Sequence, residues 1–161
     1  MRKSYVAEAI TFAEKSNADL QPELMTAGAR RALLDEYARL EKLAAYGKTV
    51  LALDDADDMA RVTGTSVGKA KATVETAKAL RDSGEVADAF AGGHISLDQA
   101  AEIAKAEKAR PGSAGKLLET AATESFQVLR ERARKVVLET EQRRGLGERQ
   151  REARSGPQLR R

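Results

Sequence analysis

Apolar residues recur at three- and four-residue spacing along most of the chain, and this period places them on one face of an α-helix. The clearest stripe contains Leu33, Tyr37, Leu40 and Ala44 and predicts one long helix over residues 23–53. At about 1.5 Å per residue such a helix is roughly 45 Å long. We expect it to act as the spine of an all-α helical bundle of six to eight helices without a sheet.

Alanine makes up 30 of the 161 residues and limits the core that these helices can form. It has the highest helix propensity and lets helices approach closely, but its methyl group buries little area. Only 37 larger apolar side chains remain. We therefore expect a second helix to cover the spine, either in a homodimer or from a helical protein partner. The predicted contact residues are Leu33, Tyr37, Leu40 and Leu43.

A helical hairpin is predicted around Gly64. Glycine adopts the positive φ that ends many helices, and Thr65 or Ser66 can cap the helix that follows. Ala60 and Ala70 are small residues at the positions where the two helices of a helix-turn-helix touch. The spacing therefore predicts a helix-turn-helix-like hairpin whose second helix covers residues 66–81.

The outer face of this second helix has two interpretations. In a DNA-binding hairpin its lysines contact phosphates while its first residues approach the bases. In a plain helical hairpin the same side chains form a solvated face, and Glu75 dilutes their positive field. The predicted nucleic-acid contacts are Ser66, Lys69, Lys71 and Thr73, with Thr76 and Lys78 on the same outer face.

The centre of the chain resembles a known family. The resemblance rests on a T-G-x-S turn, an A-x-x-L helix end and an A-x-x-x-G-x-I-S-x-x-Q-A signature, and it covers about residues 23–154. These motifs comprise Thr63, Gly64, Ser66, Ala77, Leu80, Ala89, Gly93, Ile95, Ser96, Gln99 and Ala100. They are similar to domain-of-unknown-function family 222. This family forms the N-terminal helical region of actinobacterial HNH-endonuclease-like proteins, including the mycobacterial thirteen-E-twelve repeat proteins. The resemblance implies a helical module that accompanies a nuclease.

Positive charge is concentrated at the C-terminal end. The whole chain has a net charge of +3, whereas residues 127–161 contain 11 basic and 5 acidic residues. The last long helix is expected to begin at Ser125 and to stop at Gly145. The predicted phosphate contacts on it are Arg130, Arg132, Arg134, Lys135, Arg143 and Arg144. We thus expect an N-terminal helix and linker (1–20), a helical domain (21–144) and a basic disordered tail (145–161).

Cysteine and histidine, which many catalytic sets and zinc sites require, are scarce. The sequence has no cysteine and a single histidine, His94, whereas an HNH nuclease needs at least two histidines. Four aspartates at residues 54–58 suggest either a cation site or a helix N-terminus, and their spacing favours the helix cap. We expect no catalytic residues, cofactor, metal or small-molecule substrate. The absence of any 18-residue apolar run predicts no transmembrane helix and no membrane partner. The lack of cysteine suits the cytoplasmic location that we expect.

Two functions therefore remain from the sequence. The first is a nucleic-acid-binding module, which targets DNA as part of an HNH-endonuclease-like protein or derives from one. The second is a helical interaction or oligomerisation module in which the basic C-terminal end binds no nucleic acid.

Overall fold

The computed structural model describes residues 4–156, and they confirm the all-α prediction, with eight α-helices, one short 3₁₀ helix and no strand. The chain divides into two compact units, one ending at Ala38 and the other beginning at Arg39. The elements are α1 (Tyr5–Ala18), the 3₁₀ helix (Pro22–Leu24), α2 (Ala27–Leu51), α3 (Ala56–Thr63), α4 (Val67–Leu80), α5 (Gly84–Ala91), α6 (Leu97–Ala109), α7 (Ala114–Thr123) and α8 (Phe126–Arg154).

The long helix α2 is shorter at both ends than its apolar period predicts. Residues Pro22–Leu24 form a 3₁₀ turn, and the helix begins only at Ala27. The Thr26 hydroxyl accepts a hydrogen bond from the Ala29 amide at 3.1 Å, which supplies a cap at this later position. At the other end Leu53 has a φ of 47°, a conformation that cannot continue a right-handed helix.

In the first unit, a few polar contacts hold the start of α2. The Tyr37 hydroxyl donates to Asn17 Oδ1 at 2.7 Å and lies 2.8 Å from Ser16 Oγ. Arg30 donates to the Met25 carbonyl at 2.9 Å. No residue of α1 is buried. This unit is therefore stabilised by hydrogen bonds more than by an apolar core.

The second unit is built around α6, which packs against α4, α5, α7 and α8. Phe90 and Ile103 are fully buried at its centre, and the Tyr46 ring meets Phe90 edge-to-face with centroids 5.5 Å apart. Ala100 and Ala106 on α6 are also fully buried, so neighbouring helices approach α6 closely. The core cluster comprises Leu80, Val86, Phe90, Ile95, Ala100, Ile103, Ala106, Ala114, Leu117, Leu129, Ala133 and Val136.

The predicted hairpin around Gly64 is confirmed. Gly64 ends α3 with a φ of 66°, and Ser66 caps α4 by accepting from the Lys69 amide at 3.2 Å. Ala60 and Ala70 are buried, as the helix-turn-helix pattern predicts. Helices α3 and α4 pack against each other, so the local motif corresponds to a tertiary contact.

The signature around Gly93 forms a helix end followed by a helix start. The Gly93 and His94 amides donate to the Phe90 and Ala89 carbonyls, which is the Schellman arrangement, and Gly93 has a φ of 71°. Ser96 and Gln99 then form a reciprocal capping box at the start of α6.

A distant carboxylate caps helix α7. Glu107 on α6 accepts hydrogen bonds from the Gly112 amide at 2.9 Å and the Ala114 amide at 2.7 Å, while the Ser113 hydroxyl lies 3.4 Å away. Burial raises the pKa of Glu107, but these hydrogen bonds together outweigh it and hold the pKa below its ordinary value of 4.5.

We expect Glu107→Gln to lower the free energy of unfolding at pH 7 by about 1 kcal/mol, the usual value of a helix cap. Because the folded-state pKa is depressed, this contribution is present above pH 4.5 and is lost as the pH falls through the lower folded value. Urea denaturation followed by circular dichroism at neutral and acidic pH measures both effects. Glu119→Gln, an exposed carboxylate on α7 itself, is the control. Equal stability of Glu107→Gln and the unmodified protein at pH 7 would contradict the cap.

Helix α8 is longer than predicted. It continues through Gly145 and Gly147 to Arg154, so residues 145–154 belong to a helix and not to a disordered tail. Two glycines cost about 1 kcal/mol each relative to alanine. The packed first half supplies the helix nucleus, however, and extension from an existing helix is far easier than nucleation. Residues 157–161 of the predicted tail lie outside the described residues. No helix within residues 4–156 has the length and apolar character needed to span a membrane.

Candidate nucleic-acid interface

The basic residues predicted on α8 lie on a helix that is anchored by its apolar face. Leu129, Ala133 and Val136 are buried against the rest of the second unit, where α8 packs on α6 and α7. All six predicted cations of α8 are solvent-accessible, Arg130 being partly buried and the others exposed: Arg130, Arg132, Arg134, Lys135, Arg143 and Arg144.

Carboxylates or hydroxyls engage three of these six cations. Arg130 lies 3.9 Å from Glu102 on α6, and its buried Nε has no hydrogen-bond partner among the described residues. Arg132 donates to the Thr120 hydroxyl at 2.9 Å. Lys135 lies 4.0 Å from Glu139. These contacts offset part of the positive field around the first half of α8.

The other three cations of this set have no such partner. Arg134, Arg143 and Arg144 form no ion pair with any residue between 4 and 156. Their side chains are exposed. An exposed guanidinium without a carboxylate partner keeps its donors available for phosphate oxygens.

Two surface grooves flank α8. One, of about 590 Å³, lies between α7, the loop before it and α8, and three cations and one carboxylate line it: Arg110, Lys116, Arg132 and Glu119. The other, of about 450 Å³, lies between α6 and α8, with cations Lys105, Arg130 and Arg134 facing carboxylates Glu102 and Glu141. Both surfaces are net positive and contain several hydrogen-bond donors, so their chemistry suits an anionic ligand.

The residues predicted to contact nucleic acid on α4 are less accessible than those on α8. Thr73 is only 5% exposed, and its hydroxyl donates to the Lys69 carbonyl, so its predicted position on the outer face of α4 is wrong. Thr76 is likewise buried, at 8%. Both threonines lie on the face that packs against the neighbouring helices. Ser66 is exposed, but its hydroxyl is engaged as the helix cap. Lys69 and Lys71 are therefore the members of the predicted set that are exposed and not used as a cap.

The exposed lysines of α4 do not form one continuous cationic face. Lys69 and Lys71 are two positions apart and therefore point to different sides of the helix. Lys78 lies 3.1 Å from Glu75 and 3.6 Å from Asp54, and the hydrogen bond and charge of Glu75, with the charge of Asp54, raise the pKa of Lys78. No hydrogen bond or ion pair in the described part of the chain joins the α4 set to the α8 set, although both helices pack on α6.

The four residues predicted for oligomer contacts lie along α2. In the first unit Leu33 and Tyr37 are partly buried. In the second unit Leu40 and Leu43 are each 40% exposed, and the Leu43 side chain packs close to Gly93. Larger apolar exposure occurs on α1, where Tyr5, Val6, Ile10 and Phe12 are all at least 55% exposed.

The acidic stretch of residues 54–58 spans the N-terminus of α3, as its spacing favours. Asp55 caps α3 by accepting from the Asp58 amide at 2.9 Å, and Asp58 pairs with Arg61. Among residues 4–156 no group of three histidine, cysteine, aspartate or glutamate side chains is placed to hold a metal. His94 is exposed and lies over Gly92.

Arg149, Arg151 and Arg154 belong to the predicted disordered tail, but they lie on α8. A signal for this was present, because Thr140, Arg144, Gly147, Arg151 and Arg154 continue the three- and four-residue spacing of the buried stripe. The arginines replaced the apolar residues that usually mark such a face, and so hid it.

No protein-family model matches the chain, and neither the curated proteins nor the solved structures contain a significant match to it.

Proposed function

We propose that this chain is a nucleic-acid-binding helical module that contacts DNA mainly through the basic surface of α8. One observation carries the proposal: Arg134, Arg143 and Arg144 are exposed on one 29-residue helix and have no carboxylate partner within the described residues. Guanidinium groups in this state pair readily with phosphates, and phosphate contacts provide most of the sequence-independent affinity of DNA-binding proteins.

The hairpin of α3 and α4 has a secondary place in this proposal. Its turn geometry suits a helix-turn-helix. Among its predicted contacts, however, only Lys69 and Lys71 are both exposed and not used as caps. We infer that these two lysines add to affinity and affect sequence preference less than a typical recognition helix does.

We propose further that the chain binds DNA and does not cleave it. Its resemblance to family 222 suggests a module that brings an HNH nuclease to DNA, and the single histidine of the chain is too few for that nuclease. Any DNA cleavage would then come from a separate catalytic domain. A cytoplasmic location is compatible with this proposal.

Gel-shift titrations of duplex DNA at two salt concentrations test the proposal. With about four to six phosphates neutralised, we expect a log–log salt slope of about −4 to −5. Substituting Arg134, Arg143 and Arg144 by glutamine should make the slope shallower by about 2 to 3, because each lost phosphate contact removes about 0.9. The matched control replaces three basic residues elsewhere, Arg31, Lys48 and Arg61, and should keep the original slope. Equal weakening by both sets would contradict a specific role of α8.

Helical association is the second function that an observation favours. The exposed apolar side chains of α1, including Phe12 at 67%, form a surface that a helical partner or a second copy of the chain would cover. Failure to bind duplex DNA at low salt would favour this interaction module. In that case light scattering of the full chain should give a mass above that of the monomer.

A further inference from the structure

We define the distal half of α8 as residues 141–154. The core-facing stripe of the helix continues there, but polar residues take the place of the apolar ones. In the first half this stripe contains Leu129, Ala133 and Val136, all buried. In the distal half every residue is exposed except Gly145 and Gly147, which are partly buried. The stripe therefore continues along the helix beyond the residues that pack on α6.

Arginines occupy this continuation. At about 100° per residue, four arginines and one glycine of the distal half fall within roughly 100° around the helix axis, on the side of the buried stripe. We call this surface the arginine face, and it consists of Arg143, Arg144, Gly147, Arg151 and Arg154. Each of the three distal carboxylates, Glu141, Glu148 and Glu152, lies about 90° or more from the centre of this face.

The arginine face has no ion-pair partner in the described part of the second unit. None of its four arginines forms an ion pair with a residue in the range 4–156. Arg149, which lies on the opposite side of the helix, instead donates from Nε to the Gly145 carbonyl at 3.2 Å and so lies along its own helix. The four arginines on one side of the distal half thus have no ion-pair partner among the described residues, whereas Arg149 on the other side bonds to its own helix.

We infer that the arginine face lies against the sugar-phosphate backbone of duplex nucleic acid, with the distal half of α8 held as a preformed helix in or along the major groove. This inference rests on the proposed function and adds to it the binding surface and the form of the nucleic acid.

The dimensions of the face fit a duplex. Arg143 to Arg154 span roughly 16 Å along the helix axis. A duplex presents about one charge every 1.7 Å of its axis, so several phosphates lie within this span. The major groove is about 12 Å wide and admits an α-helix. Gly147 lies at the middle of the face, and nothing lies within 4 Å of a Cβ added there, so the helix backbone can approach the ligand closely.

A pair of matched substitutions tests the face. Arg151→Gln removes a charge from the arginine face, whereas Arg149→Gln removes one from the opposite side two residues away. We expect Arg151→Gln to make the salt slope for duplex DNA shallower by about 0.9 and to weaken binding several-fold, with little change for Arg149→Gln. Combining Arg151→Gln with Gln142→Arg keeps the net charge but moves it off the face. This double variant should also bind more weakly.

A helix-breaking substitution tests whether the face must be preformed. Gly147→Pro keeps every arginine but interrupts the helix. We expect it to weaken duplex binding at least as much as Arg151→Gln, while urea denaturation shows an unchanged core transition because the core lies in the first half of α8. Unchanged binding by Gly147→Pro, or equal effects of Arg149→Gln and Arg151→Gln, would overturn the inference in favour of a flexible cluster of cations. The proposed function would survive either result.

The kind of ligand is tested by comparing duplex DNA with other anions. Tighter binding to single-stranded DNA, to an acidic peptide or to anionic vesicles than to duplex DNA at the same salt concentration would overturn the duplex assignment. If the unmodified protein binds no DNA at low salt, the proposed function fails together with the inference.

Discussion

Phe90→Ala should lower the free energy of unfolding by about 3–5 kcal/mol, the usual cost of removing a fully buried phenylalanine. Phe90 is 0% exposed, packs in the main core cluster and contacts the Tyr46 ring edge-to-face. Four of the twelve residues in this cluster are alanines, whose methyl groups cannot extend into the space that the removal of Phe90 leaves. Such a loss is a large part of the stability of an average small domain, so we expect partial unfolding at 37 °C.

Phe12→Ala is the matched control for this prediction. Phe12 is 67% exposed on α1, and its removal should change the stability by less than about 0.5 kcal/mol. Urea denaturation of both variants, followed by far-ultraviolet circular dichroism, gives the comparison. Equal stabilities of the two variants would show that Phe90 does not have the central place in the core that the structure assigns to it.

Gly93→Ala should be the most damaging of the glycine substitutions. Gly93 has a φ of 71°, which costs a non-glycine residue about 1–2 kcal/mol. An added Cβ would also lie 3.0 Å from Leu43 Cγ, so the Leu43 side chain must move. The conformational and steric costs add, and we expect a loss of about 2–4 kcal/mol in the free energy of unfolding.

Gly64→Ala separates these two costs. Gly64 has a similar φ of 66° but nothing lies within 4 Å of an added Cβ, so only the conformational cost applies. We expect a loss of about 1–2 kcal/mol there. Combining Gly93→Ala with Leu43→Ala should recover part of the steric cost in a double-mutant cycle. Identical losses at Gly64 and Gly93 would exclude a steric contribution from Leu43.

Helix α8 keeps one helical spacing while the kind of side chain on that spacing changes. The chain places apolar residues and then arginines at the same helical spacing, so one face of α8 serves the core first and is exposed afterwards. If the DNA affinity depends on salt and falls when the arginine face is changed, the first half of α8 anchors the helix and the distal half binds DNA.

The sequence by itself determined the features that depend on neighbours along the chain. Helix period, the caps at Ser66 and Ser125, the capping box of Ser96 and Gln99, and the left-handed turn at Gly64 were all predictable. Each involves residues within about four positions of one another, and local geometry decides such contacts without help from the rest of the fold.

Only the tertiary structure decided which faces are buried and which distant groups meet. Thr73 is a polar residue that a local pattern places outside, yet the helices packed on α4 bury it and its hydroxyl bonds to its own helix. Glu107 caps α7 across seven residues because α6 and α7 pack together. The distal half of α8 is helical because the first half is held on α6, so that a segment with two glycines extends an existing helix and does not have to nucleate one.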